Sequence, residues 1–254
     1  MSGVSVLYED GELVAVDKPA GIHTAPVESL GGDTLLDRII SRFPDVARVP
    51  GMKPVEPGLL HRLDRDTSGV VVAARTASAF AALRAQFEQG RVEKIYTAVC
   101  MAPVEGASPG SRLRMESRFA PYGPGRTRVR VVLPGSRHKR EVTAASYTTE
   151  VEVREKHGGL LLVRAAITKG FRHQVRAHLA ALGLPIVGDA LYGTECPPLA
   201  RDEGTRALPA GACHRMYLHA SEVRLTHPAT GQALVVRSTL PAEFMSLLDL
   251  AAKA

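Results

Sequence analysis

The sequence has little of what marks several specialised classes of protein. Its 254 residues include three cysteines, no tryptophan and 5% aromatic residues, and no two cysteines form a Cys-x-x-Cys pair. These features argue against a disulfide framework and against a thiolate zinc site. No apolar run approaches the length that crosses a bilayer, and the charged N-terminal stretch around Asp10 lacks the apolar segment of a signal peptide. We therefore expect a cytoplasmic protein that does not bind membranes.

The chain does have the composition of an ordinary globular protein with an excess of positive charge. Hydrophobic residues make up 45% of it and charged residues 23%, and no composition shift marks a boundary, so residues 1–254 are interpreted as a single domain. The net charge is +6, and arginine supplies most of the cations. Arginine favours planar, bidentate partners such as phosphate, which makes nucleic acid a natural partner. The charge by itself does not distinguish a nucleic-acid-binding surface from a basic surface that only contacts solvent.

Strand patterns occur along most of the chain. The stretch VSVLYEDGELVAVDKPAG predicts a hairpin whose turn is Glu9-Asp10-Gly11. Short apolar or alternating runs predict four further strands, which are GVVVAA, EKIYTAVCM, AASYTTEVEV and LLLVRAAI. The last two are expected to pair about a turn at Gly158-Gly159.

Helical spacing and loop composition account for most of the remainder. Helices are predicted over TLLDRIISRF, after an N-cap at Thr76, over residues 172–182 and after Pro241. A proline-rich loop between Cys196 and Cys213 has no periodicity and is long enough to be functional.

The stretch GLLHRLDRDTSGVVVAA places a polar cluster on a loop that leads into a buried strand. Its His-Arg-Leu-Asp letters resemble the catalytic loop of protein kinases, but the other kinase motifs are absent. A phosphatase aspartate would follow an apolar strand, whereas Asp64 and Asp66 precede one. Side chains such as Thr67 and Ser68 also cap turns routinely, and the loop by itself favours that interpretation.

Distant segments change the interpretation of this loop. HRLDRDTSGVVVAA, EKIYTAVC and FRHQVRAHLAALGLPIVGDALYG stand in this order, and YLHASEVRLTHPATG follows them. Together with LYEDGELVAVDKPAGIHTAP and LPAEF, they closely resemble the RluA family of pseudouridine synthases, whose signature is His-Arg-Leu-Asp-x-x-Thr-Ser-Gly. The resemblance covers nearly the whole chain. It implies an α+β pseudouridine synthase fold, with a long mixed, mostly antiparallel sheet, flanking helices and a basic central cleft.

The resemblance also implies a reaction. Pseudouridine forms when the bond between C1′ of the ribose and N1 of uracil breaks, the base turns, and the base rejoins through C5, so no cofactor is needed. The family's catalytic carboxylate matches Asp64, and the cation that keeps this carboxylate ionised matches Arg176. The family's active-site tyrosine matches Tyr96, which is expected to pack against the base and to move a proton. In a helix over 172–182, Val175, Leu179 and Leu182 form the buried stripe, and Arg176 lies on its flank.

RNA is the implied partner, as a stem-loop of ribosomal or transfer RNA. The uridine must be extruded from its stack, and Arg62 matches the family residue that fills the gap. Other substrate-binding candidates are the loop-shaping residues and those that keep the family's positions in the FRHQVR segment, namely His61, Thr67, His173, Gln174 and Val175. Arg126, Arg128 and Arg130 alternate with other residues, so in a strand they would share one face that could contact phosphates. The solvent face of an amphipathic strand would show the same pattern.

The chain departs from the family pattern in one segment. The family usually reads Thr-Gly-Arg-Thr-His-Gln-Ile-Arg, whereas this chain reads TKGFRHQVR from Thr168 to Arg176. A different backbone arrangement is therefore expected around Phe171 and Arg172. The N-terminal hairpin begins near Met1, so we expect no separate S4 RNA-binding module. The protein is expected to be a monomer.

Two alternatives accompany these expectations. A non-catalytic RNA-binding descendant of the same fold is the alternative function, and the joint presence of Asp64, Tyr96 and Arg176 favours the enzyme. His173, His178 and His219 could suggest a metal site, but His173 and His178 miss the spacing of a helical metal pair. No metal site is therefore predicted, and the three histidines are interpreted as structural.

Overall fold

The structure is a computed structural model that describes residues 3–26, 33–102, 107–136, 141–193 and 215–253. The predicted proline-rich loop lies outside these residues. None of the helices in the described ranges has the length and apolar character needed to span a bilayer.

The chain forms two compact units, each assembled from two separate segments. Unit 1 consists of Met1–Ile95 and His219–Thr239, and unit 2 consists of Tyr96–Leu218 and Leu240–Ala254. In the described part of the chain, the units contain ten strands, which pair mostly antiparallel, and four α-helices. The predicted α+β fold class is therefore confirmed.

The helices and strands follow one another in a mixed order. They are β1 (Ser5–Glu9), β2 (Leu13–Lys18), α1 (Leu35–Arg42), β3 (Ser68–Ala74), α2 (Ala77–Glu88), β4 (Glu93–Met101), β5 (Arg112–Tyr122), β6 (Arg128–Val132), β7 (Tyr147–His157), β8 (Leu160–Ile167), α3 (Gln174–Ala181), β9 (Leu218–Thr226), β10 (Ala233–Arg237) and α4 (Ala242–Ala252). Two short 3₁₀ turns, Pro44–Arg48 and Pro124–Arg126, complete the described elements.

In unit 1, the strands adjoin in the order β1, β2, β3 and β9, with β10 on β9. All pairs are antiparallel except β3 and β9, which run parallel over a short contact that sets Ser68 opposite His219. Every residue of β3 is buried, as its continuous apolar run predicts. Val72 of β3 packs in one cluster with Leu13 of β2 and Leu83 of α2, so the strand that follows the polar loop is firmly anchored.

In unit 2, the strands adjoin in the order β4, β8, β7, β5 and β6. The C-terminal helix α4 buries Phe244 edge-on against Tyr217, with ring centroids 5.1 Å apart. Helix α3 packs through Ala177 beside Phe119 of β5 and Val129 of β6. This packing sets the position of α3, which carries several of the predicted site residues.

Most of the predicted elements are confirmed. Strand β4 has the bounds of EKIYTAVCM, and β7 and β8 pair about the turn at Gly158-Gly159. The Thr76 hydroxyl accepts a hydrogen bond from the backbone N–H of Ala79 and so caps α2. Helix α4 begins directly after Pro241.

The helix predicted over 172–182 is shorter than expected. Helix α3 begins at Gln174, because His173 has the left-handed backbone angle φ of 56° and cannot belong to the helix. Leu182 is the C-cap and only half-buried, whereas Val175 and Leu179 are buried as predicted. Arg176 is buried beside them, with 7% of its surface exposed.

The prediction that three arginines share one strand face is wrong for Arg126. Strand β6 begins at Arg128, and Arg126 ends the turn Pro124–Arg126 with a φ of 53°. The residues Gly123-Pro124-Gly125 favour a turn immediately before Arg126, so the strand begins only after it. Arg128 and Arg130 do lie on the strand, where they share a face, while Val129 between them is buried.

Candidate active site

Hydrogen bonds from the fully buried Lys18 fix the loop that carries Asp64. Lys18, the last residue of β2, donates from Nζ to the carbonyl oxygens of Pro19, Arg65 and Thr67, at distances of 3.0, 2.8 and 2.8 Å. A buried ammonium is costly unless its hydrogens are bound, and three carbonyls match its three donors. The loop backbone on the C-terminal side of Asp64 is thereby held in one conformation.

The N-terminal side of the Asp64 loop is fixed by a threonine. Thr24 Oγ1 donates to the carbonyl of Leu63 at 2.8 Å and accepts from the N–H of the same residue at 3.1 Å. Thr67 closes the turn by donating its N–H to the Asp64 carbonyl at 3.1 Å. The Asp64 side chain, half-buried, therefore projects from a backbone that is held on both sides.

His61 lies under the start of this loop as a neutral imidazole. Its Nε2 accepts from the N–H of Val72 at 3.1 Å, so the ring proton is assigned to Nδ1. Burial, with the charge of Lys94 as a second cause, lowers the pKa of His61 to about 3. The ring stacks on Phe87 of α2 with centroids 5.4 Å apart. These contacts agree with the predicted loop-shaping role of His61.

The side chain of Arg62 is exposed, and one edge of its guanidinium is bound by Glu56. Its Nη1 donates to Oε1 of Glu56 at 2.8 Å, and 54% of its side chain is exposed, against 6% for Glu56. A guanidinium with this exposure keeps a planar face accessible for stacking. The exposed neighbours Arg65 and Asp66 approach each other only to 4.0 Å.

The end of the loop enters β3 through a close backbone contact. Gly69 has a φ of 114°, and a Cβ there would lie 2.2 Å from the carbonyl oxygen of Ala220. Only glycine fits this approach of β3 to β9. Ser68 Oγ lies 2.9 Å from Nδ1 of His219, which explains that histidine as a structural one.

In unit 2, the start of α3 is built by side-chain contacts. The Gln174 amide accepts from the N–H of Phe171 at 3.0 Å and donates to the carbonyl of Thr148 at 2.9 Å. Phe171, where the chain departs from the family pattern, stacks on Phe119 with centroids 5.1 Å apart and 9° between the rings. It also contacts Tyr147 at 5.2 Å. The altered segment is therefore anchored by an aromatic ring.

His178 lies in the next turn of α3 and is fully buried. Ser117 Oγ lies 2.8 Å from Nε2, and Thr149 Oγ1 lies 2.8 Å from Nδ1. Burial lowers the pKa of His178 to about 4, so the ring is neutral at physiological pH. Two hydroxyl partners satisfy both ring nitrogens, as the structural interpretation requires.

Arg176 forms a bidentate ion pair with Asp189, which was not among the predicted site residues. Its Nε and Nη2 donate to the two oxygens of Asp189, at 2.8 and 2.6 Å. Burial opposes ionisation of Asp189, but the hydrogen bonds and charge of Arg176 outweigh it and lower the pKa of that carboxyl. The guanidinium of Arg176 also lies over the ring of Tyr192, 5.4 Å from its centroid.

The remaining candidates lie on strands of unit 2 or in the turn that precedes β6. Tyr96 is buried in β4 with 7% of its surface exposed. Arg130 lies over the ring of Tyr122 at 5.1 Å, and Arg126 pairs with Glu141 at 2.9 Å. Arg172 donates to the carbonyl of Arg126, which ties the 3₁₀ turn to the segment before α3.

The structure thus groups the predicted residues in two sets. His61, Arg62, Asp64 and Thr67 share the loop of unit 1, and the others belong to unit 2. Sequence reasoning missed Lys18, Glu56 and Asp189, each of which has a partner at least six residues away in the sequence. The letters DKPAG and GDALYG, already part of the resemblance, were the available signal for Lys18 and Asp189.

Comparisons with known proteins address the chain as a whole. Residues 12–181 match the family described as RNA pseudouridylate synthase. The chain is 32% identical to a ribosomal large subunit pseudouridine synthase D of Pseudomonas aeruginosa, over 97% of this chain and 71% of that protein. It is 31% identical to the protein of the same name from Nitrosomonas europaea, over 97% of this chain and 64% of that protein. The chain is therefore shorter than both relatives.

Solved structures show the same fold. The human protein RNA Pseudouridylate Synthase Domain Containing 4 superposes with a TM-score of 0.70 and 23% identity, over 97% of this chain and 92% of that one. Human RNA Pseudouridylate Synthase Domain Containing 1 gives a TM-score of 0.66 and 24% identity, over 98% and 87% of the two chains. The fold expected from the resemblance is confirmed.

Proposed function

Because this chain belongs to the RNA pseudouridylate synthase family, the enzymes that form pseudouridine in RNA, we propose that it isomerises specific uridines of structured RNA with Asp64 as the catalytic carboxylate. One observation carries the assignment of Asp64. Its loop is fixed through the backbone by Lys18 and Thr24, while its own side chain is left half-buried at the turn. A reacting group needs such a rigid support.

The other residues have complementary roles in this proposal. Asp64 attacks the uridine as a nucleophile or stabilises the electron-poor sugar carbon while the bond from C1′ to N1 breaks. The base turns and C5 bonds to C1′, and any covalent bond that Asp64 has formed to the uridine breaks. C5 then loses its proton and N1 gains one, so the reaction needs no redox partner. Tyr96 packs on the base and transfers a proton, and Arg176 supplies positive charge that favours the ionised carboxylate.

Access to the uridine requires that it leave its stack. We propose that Arg62, exposed and held only at its edge by Glu56, fills the space that the flipped base vacates. Arg128 and Arg130 of β6, with Arg126 in the preceding turn, contact phosphates. His173, Gln174 and Val175 support the substrate from the start of α3.

Ribosomal RNA is the favoured substrate among the two classes considered. The relatives from Pseudomonas aeruginosa and Nitrosomonas europaea are described as acting on the large ribosomal subunit. Mapping pseudouridines in total RNA with and without the gene would identify the target. Loss of a site in 23S-type RNA would support this substrate, and loss of a site in tRNA would instead assign the enzyme to tRNA.

The Asp64→Ala variant tests the catalytic assignment. We expect pseudouridine formation to fall by at least about 10⁴-fold with RNA binding retained, because the nucleophile is removed and the RNA contacts remain. Asp66→Ala is the matched control, since Asp66 is an exposed aspartate two positions away on the same loop. Equal loss in both variants would contradict the role of Asp64. Absence of activity in the intact protein on every cellular RNA would favour the non-catalytic RNA-binding alternative.

A further inference from the structure

The carboxylate of Asp189 is saturated with donors. It accepts from Nε and Nη2 of Arg176, and its Oδ1 also accepts from the N–H groups of Leu191 and Tyr192 at 2.9 and 3.2 Å. Only 1% of the Asp189 surface is exposed. Charge-assisted, bidentate contacts of this kind are geometrically specific. The direction of the carboxylate is therefore set by its own turn before it meets Arg176.

The turn at residues 188–193 cannot easily shift. The N–H of Asp189 bonds to the carbonyl of Ile186 at 3.2 Å, and the N–H of Gly193 bonds to the carbonyl of Asp189 at 2.9 Å. A Cβ at Gly188 would lie 2.0 Å from the carbonyl oxygen of Arg215, and one at Gly193 would lie 2.3 Å from that of Ile186. The turn is thus packed against backbone on both sides.

Tyr192 completes the support around the guanidinium. Its ring lies over Arg176, and its hydroxyl oxygen accepts from the N–H of Val129 at 2.7 Å. The hydroxyl hydrogen can then be donated to Nδ1 of His173, 3.0 Å away. One turn thereby contacts the edge of the guanidinium through Asp189 and its face through Tyr192.

We propose that Asp189 is a positioning residue for the reaction, which orients the Arg176 guanidinium rather than touching the RNA. The proposal rests on the proposed function, since it assigns Asp189 a role through Arg176. A guanidinium is planar, so contacts through Nε and Nη2 fix both its plane and the direction of its third nitrogen, Nη1. A long arginine side chain without this contact would populate several rotamers.

Single-turnover rates of single and double variants distinguish a positioning role of Asp189 from a merely structural ion pair with Arg176. In Asp189→Asn, we expect the single-turnover rate to fall about 10- to 100-fold, because small misplacements of a catalytic group are costly. The dissociation constant for RNA should change less than about twofold. Lysine cannot make the bidentate contact of Arg176 with Asp189. In the Arg176→Lys background, the additional change Asp189→Asn should therefore slow the reaction little further. Glu222→Gln is the control, because Glu222 is likewise a carboxylate paired with arginine, in its case Arg224 of β9 and Arg237 of β10.

A wild-type rate in Asp189→Asn, or multiplicative losses in the double variant, would overturn the proposal. If Asp189→Asn fails to fold, Asp189→Glu keeps the charge and displaces the fork by one methylene, and an unchanged rate in that variant would also overturn it. A second readout does not need activity. Solvent exchange of the Arg176 Nε–H, followed by NMR in the full chain, should accelerate at least about tenfold in Asp189→Asn.

The two readouts distinguish the two proposals. If the wild-type protein forms no pseudouridine, the proposed function fails, and faster Nε–H exchange in the variant still shows that Asp189 orients Arg176. Unchanged exchange would overturn the positioning role whatever the activity.

Discussion

The Asp64 loop of unit 1 and the start of α3 in unit 2 are both rigid, but they are held in different ways. Lys18 and Thr24 hold the loop through its backbone groups. The start of α3 is held by its own side chains, such as Gln174, which bonds to the backbone of Phe171 and Thr148, and Arg176, which pairs with Asp189. The backbone bonds of the loop do not depend on which side chains the loop carries. At α3, the contacts depend on the identity of each residue.

Replacing the buried lysine should have the largest effect on this comparison. We expect Lys18→Met to lower the free energy of unfolding by about 3 kcal/mol, because three carbonyls lose a charged donor. Lys156→Met on β7 is the control and should stay within about 0.5 kcal/mol of wild type, since Lys156 is exposed. Urea unfolding measures both. Equal stability of the two variants would show that the loop does not depend on Lys18.

The pH dependence of stability should contain a contribution from α3, in addition to that of the buried His61 in unit 1, whose pKa is also lowered, to about 3. In the unfolded chain His178 takes up a proton near the ordinary histidine pKa of 6.5, whereas in the folded protein burial lowers its pKa to about 4. As the pH falls from 6.5 to about 4, only the unfolded chain gains this proton, so the free energy of unfolding decreases, by up to about 3 kcal/mol.

The variant that tests this prediction is His178→Asn. It should be less stable than wild type at pH 7, because the contacts with Ser117 and Thr149 are altered. Its unfolding free energy should nevertheless fall less steeply between pH 6.5 and 4. Urea unfolding at a series of pH values measures the two curves. Parallel curves would contradict the neutral, buried state of His178.

The smallest expected effect concerns the aromatic ring at the altered family segment. Phe171→Ala should lower the free energy of unfolding by about 1 to 2 kcal/mol, because the half-buried ring loses its contacts with Phe119 and Tyr147. Phe171→Leu should recover part of this loss, since it restores apolar volume. If alanine is tolerated at no cost in thermal unfolding, the start of α3 does not depend on this ring.

Local patterns were sufficient to predict much of the fold. The short, mainly apolar run EKIYTAVCM predicted the bounds of β4, and Thr76 marked the start of α2 because it caps the N–H of Ala79, only three residues away. Helix α3 was placed less well, because nothing in the letters shows that His173 adopts a left-handed backbone. Arg126 was misplaced because the glycines before it form a turn that the alternating pattern conceals.

The supporting residues of the candidate site could not be predicted from local pattern. Lys18 binds carbonyls 47 and 49 residues away, and a lysine at a strand end is ordinarily exposed. Glu56 and Asp189 are likewise explained by partners that only the folded chain brings near. The family resemblance supplied the candidates for the reacting residues because it carries three-dimensional information that periodicity does not.

The burial of Lys18 also makes it a natural reporter of loop opening. Amine-acylating reagents react with exposed, unprotonated lysines, and the Nζ of Lys18 is enclosed by three carbonyls with none of the residue's surface exposed. It can be labelled only when the Asp64 loop detaches from β2. The ratio of its labelling rate to that of the exposed Lys156 would give the fraction of time the loop spends open.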